Sequence, residues 1–238
     1  MKLLQSLAVP ILLLAFGPNA IPASAADQEG LAIAIVHDTS GSMNEPVKDE
    51  TGKSSPKYVI ANRALVAIAN RIQAFATNGA IDSPRKIQAG LFVFQRNGPS
   101  AAIPFGKFDA SAFTKWARSF STPGGDTPLG HSLNAAGRAV LNSGLTRKHV
   151  LIITDGVNTV GPTPAAVLAQ LQQETRKTGT SFAVHFVAFD VDAKVFDGVK
   201  KLGATVVAAS NESQLNTQLG FILEKKILLE DEEPPKKK

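Results

Sequence analysis

Residues 31–42 read Leu31-Ala32-Ile33-Ala34-Ile35-Val36-His37-Asp38-Thr39-Ser40-Gly41-Ser42, an unbroken apolar and β-branched run that ends in a cluster of oxygen-bearing side chains. A strand with one wet face would interleave polar residues, so the run from Leu31 to Val36 describes a strand buried on both faces. Strands of that kind belong to parallel sheets covered by helices on either side. The rest of the chain should then alternate strand with helix.

It does so along its whole length. Lys57 to Ala76 carries Ile60, Ala64, Leu65, Ile68, Ile72 and Phe75 at helical spacing, which predicts an amphipathic helix. Ile87 to Phe94 predicts a strand, and Ala101 to Phe105, after Asn97-Gly98-Pro99, its hairpin partner and hence one antiparallel edge. Helices are expected over Ala110 to Phe120 and Pro128 to Leu141, a strand over His149 to Thr154, and a helix over Thr163 to Lys177 stopping at Gly179. Ser181 to Phe189 and Thr205 to Ala208 predict strands; Ala193 to Leu202 and Glu212 to Leu229 predict helices. The expected fold is α/β: a doubly wound, mostly parallel six-stranded sheet with one antiparallel edge strand and helices on both faces. Ligands of such open sheets bind at the carboxyl ends of the strands, near the point where strand order reverses.

Three polar clusters fall in loops at that end. They are Asp38-Thr39-Ser40-Gly41-Ser42 after the first strand, Gly124-Gly125-Asp126-Thr127-Pro128 opening a helix, and Thr154-Asp155-Gly156 after a central strand. Every candidate ligand atom is an oxygen. Carboxylates and hydroxyls without Cys or His select a hard cation, and so few protein charges suit Mg²⁺ or Mn²⁺ better than a Ca²⁺ cage. Gly41 is expected to allow a sharp turn and Gly124-Gly125 a close approach, while Pro128 as first or second helical residue would fix where Thr127 is presented. Each cluster alone has a plainer reading as a helix cap or a turn. Their joint occurrence at one sheet edge favours a site.

The pattern Asp38-x-Ser40-x-Ser42, with Thr127 and Asp155 in later loops, resembles the signature of von Willebrand factor A-type domains of the exported kind. The order of elements from Leu31 to about Leu223 is similar to that family as well. The resemblance implies a metal-ion-dependent adhesion site made by Asp38, Ser40, Ser42, Thr127 and Asp155. It also implies that Ser40, Ser42 and Thr127 hold Mg²⁺ or Mn²⁺ directly, and that Asp38 and Asp155 act through water. One position would remain for an Asp or Glu carboxylate of a protein partner, so the implied role is adhesion or scaffolding rather than catalysis.

Other residues have two readings each. Asp126 is either an acceptor behind the ion or a solvated loop acid, and His131, one turn beyond Thr127, reads as an ordinary helix residue. Asp190 and Asp192 follow a strand at the same edge, but Asp192 is placed to cap the helix from Ala193, so a second metal is not expected. Asn44 to Pro56, rich in charge and turn residues, is expected to be a mobile loop beside the ion.

The termini and composition place the domain. Lys2, the apolar run from Leu3 to Phe16 and Ala23-Ser24-Ala25 describe a signal peptide over 1–25 cut after Ala25, which implies a periplasmic or secreted protein. The run is interrupted and falls short of the roughly 20 residues a membrane-spanning helix needs. A domain over 26–229 and a disordered charged tail over 230–238 complete the expected organisation. Cysteine is absent, so burial alone must hold the fold. The formal charge of +5 comes from scattered Lys and Arg with no aromatic-basic stripe, which speaks against nucleic-acid binding.

Two rival functions are weaker. A serine hydrolase would need a Gly-x-Ser-x-Gly elbow and a placed histidine base, neither of which is present, although a metal with few protein charges still permits hydrolysis. A subunit of a metal chelatase or AAA-ATPase assembly is implied by relatives of the same family. The chain has no phosphate-binding Gly-x-x-x-x-Gly-Lys loop of its own.

Overall fold

The computed structural model describes residues 27–78, 85–95 and 98–229; the expected signal peptide and charged tail lie outside them. In chain order the elements are β1 (Gln28–His37), β2 (Pro46–Lys48), β3 (Ser54–Pro56), α1 (Lys57–Thr77), β4 (Ile87–Gln95), β5 (Gly98–Lys107), α2 (Ala110–Ser119), α3 (Leu129–Leu141), β6 (Leu145–Thr154), α4 (Pro164–Thr178), β7 (Ala183–Phe189), α5 (Asp197–Lys201), β8 (Thr205–Ala209) and α6 (Glu212–Ile222). Among the described residues no helix is long and apolar enough to cross a membrane.

Because successive strand residues point to opposite faces, β1 feeds two separate cores. Leu31, Ile33 and Ile35 pack with α1, α2 and α6, while Ala32, Ala34 and Val36 pack with α3, α4 and α5. All six are fully buried, and each larger side chain contributes about 1.5–3 kcal/mol by leaving water. This is why the sequence between residues 31 and 36 has no polar alternation.

The six-stranded sheet has the order β5-β4-β1-β6-β7-β8, parallel throughout except for the antiparallel β4–β5 edge. The expected fold is therefore the one observed. From β1 the chain moves to β4 and β5 on one side and then crosses to β6 on the other. The reversal point lies between β1 and β6, whose carboxyl ends are aligned by the pairing of His37 with Ile153. Asp38 and Asp155 emerge there.

Several local expectations are corrected. Asn44 to Pro56, expected as a mobile loop, contains a short antiparallel hairpin, β2 with β3; it is anchored by buried Met43 and Val47 and by Asn44 Nδ2 donating to the Pro123 carbonyl at 3.0 Å. Pro128 is the N-cap of α3 instead of a helical residue. Gly41 needs no special backbone, and a methyl group there would lie 3.8 Å from the Gly125 carbonyl oxygen, an ordinary contact. The conformational demand falls on Gly125, at φ 83°. Ala193 to Leu202 splits into a 3₁₀ turn and the short α5, and the last helix finishes as a π-helical turn over Leu223–Leu228.

Candidate metal site

The site begins where β1 runs out. Asp38 is fully buried, and both of its oxygens are engaged: Oδ1 accepts from the Ser40 amide at 2.8 Å and the Ser40 hydroxyl at 2.5 Å, and Oδ2 accepts from the Thr154 hydroxyl at 2.5 Å. Ser40 and Ser42 hydroxyl oxygens lie 3.1 Å apart, and Ser42 Oγ donates to Asp155 Oδ1 at 2.8 Å. A continuous chain of contacts thus joins the first and third sequence clusters.

The second cluster closes from the side. Gly41 N–H donates to the Gly125 carbonyl at 3.1 Å and Gly124 N–H to the Thr39 carbonyl at 2.8 Å, tying the two loops by their backbones. Thr127 is locked to Thr159 in both directions, donating its N–H to Thr159 Oγ1 at 2.8 Å and accepting the Thr159 N–H at 3.1 Å. Its side chain plays no part in capping α3. A methyl group added at Gly156 would meet Thr127 Oγ1 at 3.7 Å and Ser42 Oγ at 3.9 Å, so these hydroxyls flank one point. All five residues singled out in the sequence are brought together.

The electrostatics fit a cation. Burial pushes the Asp38 carboxyl up to about 6, the charge of Asp155 adds to the rise, and the hydrogen bonds from Ser40 and Thr154 restrain it. Two carboxylates forced together in a dry site are relieved by a positive ion between them. The side-chain atoms that converge here are carboxylate and hydroxyl oxygens, the donor set a hard cation requires.

Neighbouring residues sort themselves by distance from this point. Asp126 and His131 are exposed, and the His131 ring lies against Gly161. Asp192 caps the 3₁₀ turn by accepting from Lys194 N–H at 2.9 Å. Three participants escaped the sequence reading: Thr154, which holds Asp38, Thr159, which clasps Thr127, and Lys57, whose ammonium is 3.1 Å from Asp155 Oδ2. Thr154 was visible beside Asp155 in its cluster. Lys57 carried no signal, being separated from Asp155 by 98 positions.

A family model for the von Willebrand factor type A domain matches residues 32–219, most of the chain and every residue of the site. The chain belongs to that family. No curated protein matches this type A domain in sequence. Among solved structures it is similar to the PilB minor pilin of Streptococcus sanguinis, with TM-score 0.60 and 18% identity over 82% of this chain and 60% of the pilin chain. It is similar also to an aerotolerance-related membrane protein of Bacteroides fragilis, with TM-score 0.57 and 15% identity over 82% of this chain and 98% of that one. Proximal thread matrix protein 1 of the mussel byssus, solved with a zinc-occupied MIDAS motif, gives TM-score 0.57 and 17% identity over 84% of this chain and 48% of its own. The type A domain thus spans about three fifths of the pilin chain. At these identities the likeness is one of fold.

Proposed function

We propose that this type A domain is an exported, non-enzymatic binding module that holds Mg²⁺ or Mn²⁺ with Ser40, Ser42 and Thr127 and takes an acidic residue of a protein partner at that ion. The observation that carries the reading is the unbroken line of contacts from Asp38 through Ser40 and Ser42 to Asp155, with the Thr127 hydroxyl turned toward the same point. A bound divalent ion would supply a Lewis-acidic position for the partner's carboxylate. The chain's own residues do the rest: Asp38 and Thr154 orient Ser40, Asp155 orients Ser42, and the Thr127–Thr159 clasp fixes the third hydroxyl.

Asp38 has both oxygens taken by neighbours, which suits a carboxylate acting through water more than one bound directly to metal. The byssus protein's site accepts zinc; the all-oxygen donor set here favours the harder ions. The reading is tested by melting the protein with Mg²⁺ or Mn²⁺ and with chelator, since an ion that binds only the folded state stabilises it by about 2.7 kcal/mol at a hundredfold excess over its Kd. Asp38→Ala should abolish the shift, and a partner captured from the envelope fraction should be released by chelator. Identical melts in metal and chelator, with capture indifferent to chelator, would overturn it.

A further inference from the structure

Lys57 is a charged group bound to the site that holding the ion does not require. It opens α1, where the helix dipole disfavours a cation, and the first turn of that helix holds no acidic residue to offset it. Its side chain is only 4% exposed, so the ammonium has lost most of its hydration. What retains it is a set of three carboxylates from three separate segments: Glu45 at 2.9 Å, before the β2–β3 hairpin; Asp155 at 3.1 Å, in the loop after β6; and Asp190 at 3.1 Å, in the loop after β7. Asp190 adopts φ 55°, a left-handed conformation that Asp tolerates better than most residues, and this bend sets its carboxylate on Lys57. Three carboxylates within 3.1 Å offset the cost of burying the Lys57 ammonium as a charged group.

Asp155 therefore has two claimants. Its Oδ1 orients Ser42, while its Oδ2 is bound to a fixed positive charge. We infer that Lys57 is a built-in cation that shares Asp155 with the metal, lowering the domain's affinity for the divalent ion while keeping the loaded site more positive toward an incoming carboxylate. Without Lys57 the loaded site would be one charge more negative, which binds the ion more tightly and the partner acid less tightly. This inference rests on the metal-site reading above. A structural staple would behave in the opposite way, because its removal could only weaken the site.

The full chain is titrated with Mn²⁺, free ion being counted by electron paramagnetic resonance and folding checked by a thermal melt. Wild-type protein that takes up no Mn²⁺ defeats the metal-site reading itself, a failure distinct from any result on Lys57. Lys57→Met, close in length but neutral, is expected to bind Mn²⁺ about tenfold more tightly, and Lys57→Arg, which keeps the charge, within about threefold of wild type. With Mn²⁺ bound, acetate is the carboxylate probe, read by the loss of water-proton relaxation enhancement. Lys57→Met should need about tenfold more acetate than wild type.

Should Lys57→Met fail to fold, Asp190→Asn serves, because Asn accepts φ 55° as readily as Asp. Relieved of one counter-charge, Lys57 then leans harder on Asp155, and Mn²⁺ binding is expected to weaken about threefold. A folded Lys57→Met that binds Mn²⁺ no more tightly than wild type overturns the inference, as does a tightening equalled by Lys57→Arg. In the absence of folded Lys57→Met, unchanged Mn²⁺ binding by Asp190→Asn does the same.

Discussion

At the scale of single residues, Thr127 and His37 separate binding from folding. Thr127 gives α3 no side-chain cap, and its backbone bonds with Thr159 survive truncation, so Thr127→Ala should cost less than the roughly 1 kcal/mol typical of a lost cap. The same change removes one of three neutral hydroxyls and should weaken Mn²⁺ binding at least about tenfold, a loss of about 1.4 kcal/mol. Denaturant unfolding beside a Mn²⁺ titration tests both halves, and a variant that binds like wild type would remove Thr127 from the site. His37, next to Asp38, is fully buried against Trp116 and Phe120, with neither ring nitrogen hydrogen-bonded among the described residues. Burial holds its pKa down at about 4, against the opposing pull of the nearby Asn62 side chain. Between pH 6.5 and 4 the unfolded chain therefore gains a proton that the native chain refuses, and stability falls as pH falls. Asp38, raised to about 6, runs the other way: the native chain keeps a proton that the unfolded one has lost, and stability falls as pH rises from about 4 to 6. His37→Leu should gain on wild type by about 3 kcal/mol when both are moved from pH 7 to pH 4 in chelator. Equal pH profiles would show that the imidazole is not held neutral.

At the scale of elements, what could be read from the sequence is what depends on near neighbours. The apolar run at 31–36 and the helical stripe from Ile60 to Phe75 each carry their own periodicity, and β1 and α1 fall where that periodicity puts them. The β2–β3 hairpin does not, because three-residue strands rich in charge have no pattern to show; it exists because Met43 and Val47 are buried beneath it. Contacts between elements are equally silent in sequence. Gly130 lies within α3 and looks like a mild flaw, yet a methyl group there would sit 1.9 Å from the Pro162 carbonyl oxygen, on backbone that cannot step aside. Gly130→Ala is expected to cost about 2–4 kcal/mol by forcing α3 away from the loop that leads into α4. Gly124→Ala, with nothing within 4 Å and no left-handed backbone, should leave the melting temperature almost unchanged. Similar melts for the two variants would contradict this packing.

At the scale of the whole molecule, the fold and four of the five site residues were legible because a parallel sheet delivers the loops after β1 and β6 to one edge, so that sequence position already implies spatial meeting; Thr127, between α2 and α3, was legible through the family resemblance. Lys57 lay beyond reach because its partners arrive from β6 and β7, and only the assembled sheet sets them around the start of α1. The cellular address rests on the N-terminal sequence alone: a mature protein beginning at Ala26 is expected, and N-terminal sequencing that returns Met1 or Lys2 would place the domain elsewhere. The two ends of the sheet bear on how such a domain lives among copies of itself. An open sheet presents unpaired backbone groups at each border, an invitation to further strands and to fibrous aggregation. Here one border is β5, interrupted by Pro99 and Pro104, which have no amide hydrogen to offer, and the other is β8, only five residues long. The sheet is blunted at both borders, so crowding on a surface would bring its copies together without knitting them into one.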